Sequence, residues 1–168
     1  MTPPDIARAL QSSGVAYTTL LRGLPPEVAK WRPAPDEWCV NECVGHLIVA
    51  EGRAFAGRIK LILDADEPVF QPWDAAEVQR ARHDDERSPD DLVAEFEPIR
   101  KASLELVRTL KPGQLERGGM HPRVERLTVN DLLHEWVHHD ANHLRQAYAN
   151  VQAYVWPDMG NARRFSSA

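Results

Sequence analysis

The chain has 168 residues, of which 43% are hydrophobic and 27% are charged, a composition typical of one soluble globular domain. The formal net charge of -5 argues against nucleic-acid binding, because proteins that bind phosphate backbones generally carry a basic surface. No apolar run approaches the ~20 residues that a membrane-spanning helix needs, and the first residues lack the pattern of a signal peptide. We therefore expect a cytoplasmic protein with no nucleic-acid or membrane partner.

Three predicted helices begin at the same kind of N-terminal signal. In each, a Ser or Thr stands at the N-cap and an acidic residue follows three positions later. The hydroxyl can accept a backbone N–H, and the carboxylate faces the positive end of the helix dipole. The signals begin at Thr2, Ser88 and Thr128, and they predict helices over about 3–22, 89–110 and 129–154.

The second helix in chain order is predicted over Val40–Leu63 from its apolar residues, with Cys39 as a weak N-cap. About 25 residues, 64–88, separate it from the third helix. A helix of about 22 residues is ~33 Å long, and a connection of that length can run back along all of it. The sequence thus predicts an all-α four-helix bundle with a long crossover between helices 2 and 3, in the order up-down-down-up.

Shorter features are predicted between and after these helices. A short extra helix is expected over Ala75–Arg82 on the crossover, and a short extended segment over Gly118–Arg126. We expect the bundle domain to occupy residues 1–155. Residues 156–168 are expected to form a C-terminal tail that is poorly ordered from Gly160 onward.

The last predicted helix holds four of the seven histidines, as two i,i+4 pairs. Either pair could chelate a metal by spacing alone, since residues four apart share a helix face. The apolar stripe of the helix favours His139 and His143, which flank it, over His134 and His138. The stripe consists of Leu132, Leu133, Trp136, Val137, Leu144, Ala147 and Val151.

A third imidazole is available on the second helix, where His46 lies at the edge of the apolar face. Three neutral ligands from two facing helices leave one coordination position open, which is typical of a catalytic metal site. Imidazole suits Zn, Ni and Fe, and a water in the open position would be acidified. We therefore predict a divalent metal ion bound by His46, His139 and His143.

Each metal-binding imidazole needs a partner for its second nitrogen. Glu42 and Glu135 each lie one turn before a predicted ligand and are candidates for that role. The remaining histidines are expected at the surface: His83, His121, His134 and His138.

Two further observations leave alternatives open. Cys39, Cys43 and His46 form a rival Cys-x3-Cys-x2-His zinc pattern, although no fourth Cys exists and Cys39 falls at the helix end. Asp140 falls near the middle of the apolar stripe, and a buried carboxylate needs a partner. Arg53, on the same flank of helix 2 as His46, is the candidate.

Two segments resemble signatures of the DinB-like superfamily, a family of damage-inducible and metal-dependent proteins. One is Glu-Trp-Cys-Val-Asn-Glu-Cys-Val-Gly-His-Leu at 37–47 with Glu51, and the other is His-His-Asp-Ala-Asn-His-Leu-Arg-Gln at 138–146. The resemblance covers roughly residues 5–152. It implies a four-helix bundle with a long crossover, commonly a homodimer, and metal ligands at His46, His139 and His143. Related members are thiol-dependent transferases and isomerases that use mycothiol or bacillithiol.

Two functions follow as hypotheses. The first is a metal-dependent hydrolase, or a thiol S-transferase that uses a low-molecular-weight thiol, acting on a small molecule. The second is a non-catalytic, metal-stabilised dimeric binding or stress-response module. It is motivated by the wide apolar circumference of helix 2, which also suggests a homodimer interface.

Overall fold

The structure is a computed structural model that describes residues 1–166 and is mostly helical. Four long helical units correspond to the predicted bundle helices. The α-helices are α1 (Pro3–Gly23), α2 (Pro26–Lys30), α3 (Val40–Ala50), α4 (Ala56–Asp64), α5 (Ala75–Arg82), α6 (Pro89–Thr109) and α7 (Val129–Val155). The all-α four-helix bundle predicted from the sequence is confirmed.

The predicted helix starts are built as their residue types require. Thr2, Ser88 and Thr128 are the N-caps of α1, α6 and α7, and each hydroxyl accepts a backbone N–H from the acidic residue three positions later. The orphan donors of each first turn are thereby partly satisfied. This local chemistry explains why the starts were predictable to the residue.

The crossover makes α3 and α6 run parallel. Near the start of both helices the Asn41 side-chain amide donates to the Arg87 backbone carbonyl, at 3.0 Å. Further along, the Glu51 carboxylate accepts a hydrogen bond from the Ser103 hydroxyl. Contacts that advance in the same direction along two helices mean that the helices are parallel, as the length of the connection predicts.

Contacts to α7 define the other directions. The Asn150 amide donates to the Trp38 carbonyl at 2.6 Å, whereas Phe55 stacks on Trp136 with ring centroids 5.1 Å apart. Helices α3 and α7 therefore run antiparallel. Because Met1 contacts His134 and Tyr17 contacts Asp140, α1 runs parallel to α7, and the order is up-down-down-up.

The second long helix is not continuous, because residues Glu51–Phe55 form a π-helical turn between α3 and α4. A π-turn closes i→i+5 hydrogen bonds and shifts the faces of the helix on either side. Gly57 makes this turn possible, since a Cβ at that position would lie 1.8 Å from the Gly52 carbonyl oxygen. The prediction of one regular helix over 40–63 is wrong in this respect.

The crossover is anchored to α3 by one buried carboxylate. Asp84 is fully buried and accepts hydrogen bonds from Gln79, Arg82 and Arg87. Its carboxylate lies where Gly45 has no side chain, and a Cβ there would come within 1.8 Å of it. The predicted extra helix over 75–82 is confirmed as α5.

Two other predicted segments differ in detail. The extended segment is a hairpin of β1 (Gly118–His121) and β2 (Glu125–Thr128), antiparallel to each other. Residues Trp156–Phe165 form 3₁₀-helical turns with no buried residue rather than an irregular tail. The last two residues of the predicted tail, 167–168, lie outside the described residues, and the division into domain and tail remains a prediction.

The wide apolar face of α3 is covered inside the chain. Ten of its eleven residues are buried, by packing against α1, α2, α5, α6 and α7. The bundle itself therefore explains the apolar circumference of helix 2 over Val40–Ala50, and a homodimer stays a prediction. Among residues 1–166, no helix combines the length and the apolar character needed to span a membrane.

Candidate metal centre

The bundle brings the three predicted imidazoles together. His46 lies on α3, and His139 and His143 lie one turn apart on the antiparallel helix α7. One nitrogen of each ring lies within 4.8 Å of the others, and His46 is buried while the other two are partly buried. Within the described part of the chain, this is the one cluster of three or more His, Cys, Asp or Glu residues with such spacing.

The spacing of these nitrogens fits a shared metal ion. The Nε2 atoms of His46 and His139 are 3.0 Å apart. Two nitrogens bound to one tetrahedral ion at ~2.05 Å lie about 3.3 Å from each other. A direct hydrogen bond between the His46 and His139 rings would also account for this distance. It would not explain why the third ring, His143, faces the same point.

All three rings are held in the uncharged form that can donate a lone pair. Burial lowers the pKa of His46 to about 4, with a further contribution from His143. Burial, His143 and His46 lower the pKa of His139 to about 3. Burial also lowers the pKa of His143, against smaller opposing effects of Gln146 and Asp140. Neutral imidazole is the form that binds divalent metals.

The partner that orients His143 is Gln146, which the sequence analysis did not assign. Nδ1 of His143 lies 2.9 Å from the Gln146 side-chain oxygen. Because an amide oxygen only accepts, Nδ1 carries the proton and Nε2 keeps its lone pair for a metal. The signal was present in the sequence, since residues three apart on a helix are neighbours.

The predicted partners Glu42 and Glu135 do not fill this role. Glu42 accepts from the Cys39 backbone N–H at 2.9 Å and pairs with Arg32 at 2.7 Å. Glu135 is exposed, with His138 at 3.9 Å. Side chains on a helix lean toward its N-terminus, so a residue one turn before a histidine leans away from it. Within residues 1–166, buried Nδ1 of His139 has no hydrogen-bond partner.

Aromatic rings enclose the centre. The Trp38 ring centroid lies 4.9 Å from that of His46 and 5.9 Å from that of His143. Trp73 of the crossover stacks 6.2 Å from His46, and Phe55 lies 5.1 Å from His139. These rings displace water, which is why burial dominates the lowered pKa values.

A buried ionic cluster stands behind the centre and corrects the prediction for Asp140. The partner of Asp140 is Arg100 of α6, at 2.7 Å, and not Arg53. Arg100 also binds Glu51, and Ser13 donates to Asp140. Arg53 was placed on the wrong side because it lies within the π-turn, where the regular 3.6-residue phase fails. It is exposed and lies over Trp73.

The rival cysteine cluster is not formed. Cys39 and Cys43 are fully buried in the apolar core, and neither shares the nitrogen cluster of His46. Burial raises the pKa of the Cys39 thiol to about 12 and also raises that of Cys43. Both stay protonated near neutral pH and act as small apolar side chains.

A pocket of about 920 Å³ opens beside the imidazoles, a volume typical of small-molecule sites. His46 and His139 lie in its wall, with residues that the sequence analysis did not select: Arg58, Trp73 and His121. These residues can be identified as pocket residues only when the positions of the π-turn, the crossover and the hairpin are known. Exposed positions are confirmed for His83, His134 and His138, whereas His121 is half-buried.

The fold and the site define a class of proteins, namely four-helix bundles with a long crossover that bring three neutral imidazoles together beside a pocket. Residues 9–147 match the family described as the DinB superfamily. The chain belongs to the DinB superfamily, which confirms the resemblance seen in its two signatures.

Two curated proteins and one solved structure are similar to the chain. A protein of Oceanobacillus iheyensis, named "Putative metal-dependent hydrolase OB0782", is 27% identical over 120 residues, which are 71% of this chain and 68% of that protein. "Putative metal-dependent hydrolase YfiT" of Bacillus subtilis is 27% identical over 108 residues, 64% of this chain and 60% of that protein. A solved structure of YfiT, described as having "an unusual four-helix bundle topology", has a TM-score of 0.81 at 20% identity and covers 89% of this chain and 86% of that one.

Proposed function

We propose that the chain binds one divalent metal ion through Nε2 of His46, His139 and His143 and is a metal-dependent hydrolase of a small molecule. The observation that carries the proposal is the convergence of three neutral imidazoles, two of which, His46 and His139, lie in the wall of a large pocket. The names of the two curated relatives agree with it. The all-nitrogen ligand set suits Zn, Ni or Fe.

Such a metal, when bound, supplies Lewis acidity that lowers the pKa of a water or thiol in its open position. The protein supplies the rest. Gln146 fixes the tautomer of His143, and the rings of Trp38, Trp73 and Phe55 exclude bulk water from the imidazoles. Low polarity strengthens every charge interaction at the reacting atoms.

Hydrolysis also needs a group that accepts a proton. The buried carboxylates Glu51 and Asp140 are both bound to Arg100, so neither is free to act as a base. Glu135 lines the same pocket as His139, one turn earlier on α7, and its side chain is 62% exposed. Glu135 is therefore our candidate for the general base.

Metal analysis of the purified protein tests the centre. We expect about one equivalent of metal in the wild type and a loss of at least tenfold in affinity in His143→Ala, because one of three ligands is removed. His138→Ala is the matched control, since it removes an exposed imidazole of the same helix. Full metal occupancy in His143→Ala would contradict the proposal.

A thiol-dependent transferase is a second candidate. The observation that favours it is the shortage of free carboxylates near the imidazoles, since a thiol that ionises at the open position needs no general base afterward. Glu135→Gln separates the two candidates: hydrolysis should fall by about 10²–10⁴-fold, whereas thiol transfer should be unaffected. The thiol cofactor, the homodimer and the cytoplasmic location stay predictions.

A further inference from the structure

We propose that the pocket beside the imidazoles takes a substrate with a carboxylate at its far end, bound by Arg58 with help from His121 and Arg123. This proposal rests on the proposed function, because it assigns the substrate class of that same site. The substrate class is then an extended, largely apolar carboxylate whose other end reaches the metal.

The first observation is an unpaired guanidinium in a half-buried position. Arg58 lies in the pocket wall with its guanidinium 5.3 Å from the centroid of the Phe70 ring. Within the part of the chain that the structure describes, it has no hydrogen-bond or carboxylate partner. The other arginines of similar or greater burial all donate to a carboxylate or carbonyl: Arg32, Arg82, Arg87, Arg100, Arg117 and Arg163.

Arg58 is the exception among these arginines, and its lack of a partner needs an explanation, because removing a guanidinium from water without a partner costs free energy. Burial lowers the pKa of Arg58, although an arginine remains charged at any physiological pH. An anion that enters the pocket would supply the missing partner. Arginine presents several N–H groups in one plane, which matches the two oxygens of a carboxylate.

The second observation is that His121 and Arg123 of the β-hairpin reinforce the same end of the pocket. Burial lowers the pKa of His121, and Arg58 and Arg123 lower it further, so both guanidinium groups lie near this ring. Nδ1 of His121 accepts the Arg123 backbone N–H at 3.2 Å. A neutral ring that accepts at Nδ1 carries its proton on Nε2 and can donate it to an oxyanion.

Two acidic residues in the pocket wall limit how much negative charge the pocket can take. Asp131 and Glu135 line it from α7. Asp131 is occupied, since its carboxylate accepts from the Thr128 backbone N–H and hydroxyl at 2.9 and 2.7 Å. These acids favour a singly charged carboxylate over a doubly charged phosphate, which they would repel more strongly.

The helix geometry estimates the length of the substrate. Arg58 follows His46 by twelve residues along α3, the π-turn and α4, which is about 18 Å along a helix axis. Both side chains lean toward the helix N-terminus and the longer arginine leans further, so its guanidinium lies on the order of 15 Å from the His46 imidazole. Both ends therefore fit one extended molecule within the 920 Å³ pocket.

The test compares two hydroxamic acids of equal chain length on zinc-loaded protein by isothermal titration calorimetry. Suberic acid monohydroxamate carries a terminal carboxylate, and octanohydroxamic acid ends in a methyl group. We expect suberic acid monohydroxamate to bind about tenfold more tightly than octanohydroxamic acid. Arg58→Gln should remove this preference and Arg123→Gln should reduce it, whereas Lys60→Gln, which removes an exposed charge from the same helix, should leave it intact. Equal affinities, or a preference that survives Arg58→Gln, would overturn the proposal.

A second pair of probes separates this proposal from the metal centre. Octanoate and octanamide need no metal, so their affinities are measured on metal-free protein. If the hydroxamates do not bind because no metal is held, a preference for octanoate that depends on Arg58 would still support the carboxylate site. Equal binding of octanoate and octanamide would overturn it independently. Arg58→Lys, which keeps the charge and most of the packing, should retain part of the preference.

Discussion

Arg100 is the residue on which the buried ionic cluster depends. Its side chain is 5% exposed and forms ion pairs with both Glu51 and Asp140, each 1% exposed. We expect Arg100→Met to reduce the free energy of unfolding by about 3–5 kcal/mol, because two carboxylates would remain buried without a counter-charge.

Urea unfolding of Arg100→Met measures this loss, and Arg22→Met is the control. Arg22 of α1 pairs at 2.9 Å with Glu97 of α6, the helix that carries Arg100, but both side chains are about half exposed. An exposed pair contributes less than about 1 kcal/mol. Similar losses in the two variants would show that burial of the cluster is not what makes Arg100 important.

The imidazoles make the stability of the metal-free protein depend on pH. The pKa values of about 4 for His46 and about 3 for His139 lie below the unperturbed 6.5. Because the unfolded chain takes up protons first, the stability that these rings contribute is complete above pH 6.5 and is lost as the pH falls toward 4. The slope is at most about 1.4 kcal/mol per pH unit for each ring.

Urea titrations of metal-free protein at pH 7, 6 and 5 measure this slope. His46→Gln should make it shallower, whereas His138→Gln, at an exposed position, should leave it unchanged. Stability that does not change between pH 7 and 5 would contradict the buried, neutral state of the rings.

For single residues, the sequence was sufficient to predict the three imidazoles but not the side chains that surround them. His139 and His143 were predictable because helical periodicity places both beside an apolar stripe. Arg100 and Trp73 were not, because their contacts with Asp140 and His46 join residues 40 and 27 positions apart in the chain. No local pattern encodes contacts of that separation.

Among the secondary-structure elements, the π-turn decides which residues face the pocket. We expect Gly57→Ala to destabilise the protein by about 1–3 kcal/mol, because its Cβ would clash with the Gly52 carbonyl and the turn would have to move. Gly52→Ala is the control in the same turn, since a Cβ there meets nothing within 4 Å. We expect that change to be neutral or stabilising by up to about 1 kcal/mol.

Thermal unfolding of both glycine variants measures the difference, and zinc affinity shows whether His46 has moved. Equal melting temperatures for Gly57→Ala and Gly52→Ala would contradict the role of Gly57. The turn itself was not predictable, because residues 51–57 read as ordinary helix. By contrast, the N-caps at Thr2, Ser88 and Thr128 were predictable, because their chemistry is local.

In the whole molecule, the two apolar clusters of the core include none of the three histidines, so their packing does not depend on a metal. One surrounds Trp136, Phe55 and Phe70, and the other surrounds Tyr17 and Phe96. We therefore expect the protein to stay folded when a chelator removes the metal. Zinc at a free concentration 100 times its Kd should add about 2.7 kcal/mol, which raises the melting temperature by roughly 5–10 °C.

Scanning calorimetry with and without chelator, on the wild type and His143→Ala, measures this shift. The variant should lose most of it. Loss of the cooperative transition on chelation would mean that the metal is structural. The parallel arrangement of α3 and α6 was predictable at this scale, because the length of the crossover limits the topology, whereas the anchoring of that crossover by Asp84 was not.

The separation of the imidazoles along the chain has a consequence for biosynthesis. His46 and His139 are 93 residues apart, so His46 leaves the ribosome long before the last helix is translated. A nascent chain holds a lone imidazole until α7 emerges and docks beside α3. Binding of a metal at the proposed centre therefore requires a chain translated through α7, and a premature stop codon before α7 would yield a polypeptide without His139 and His143.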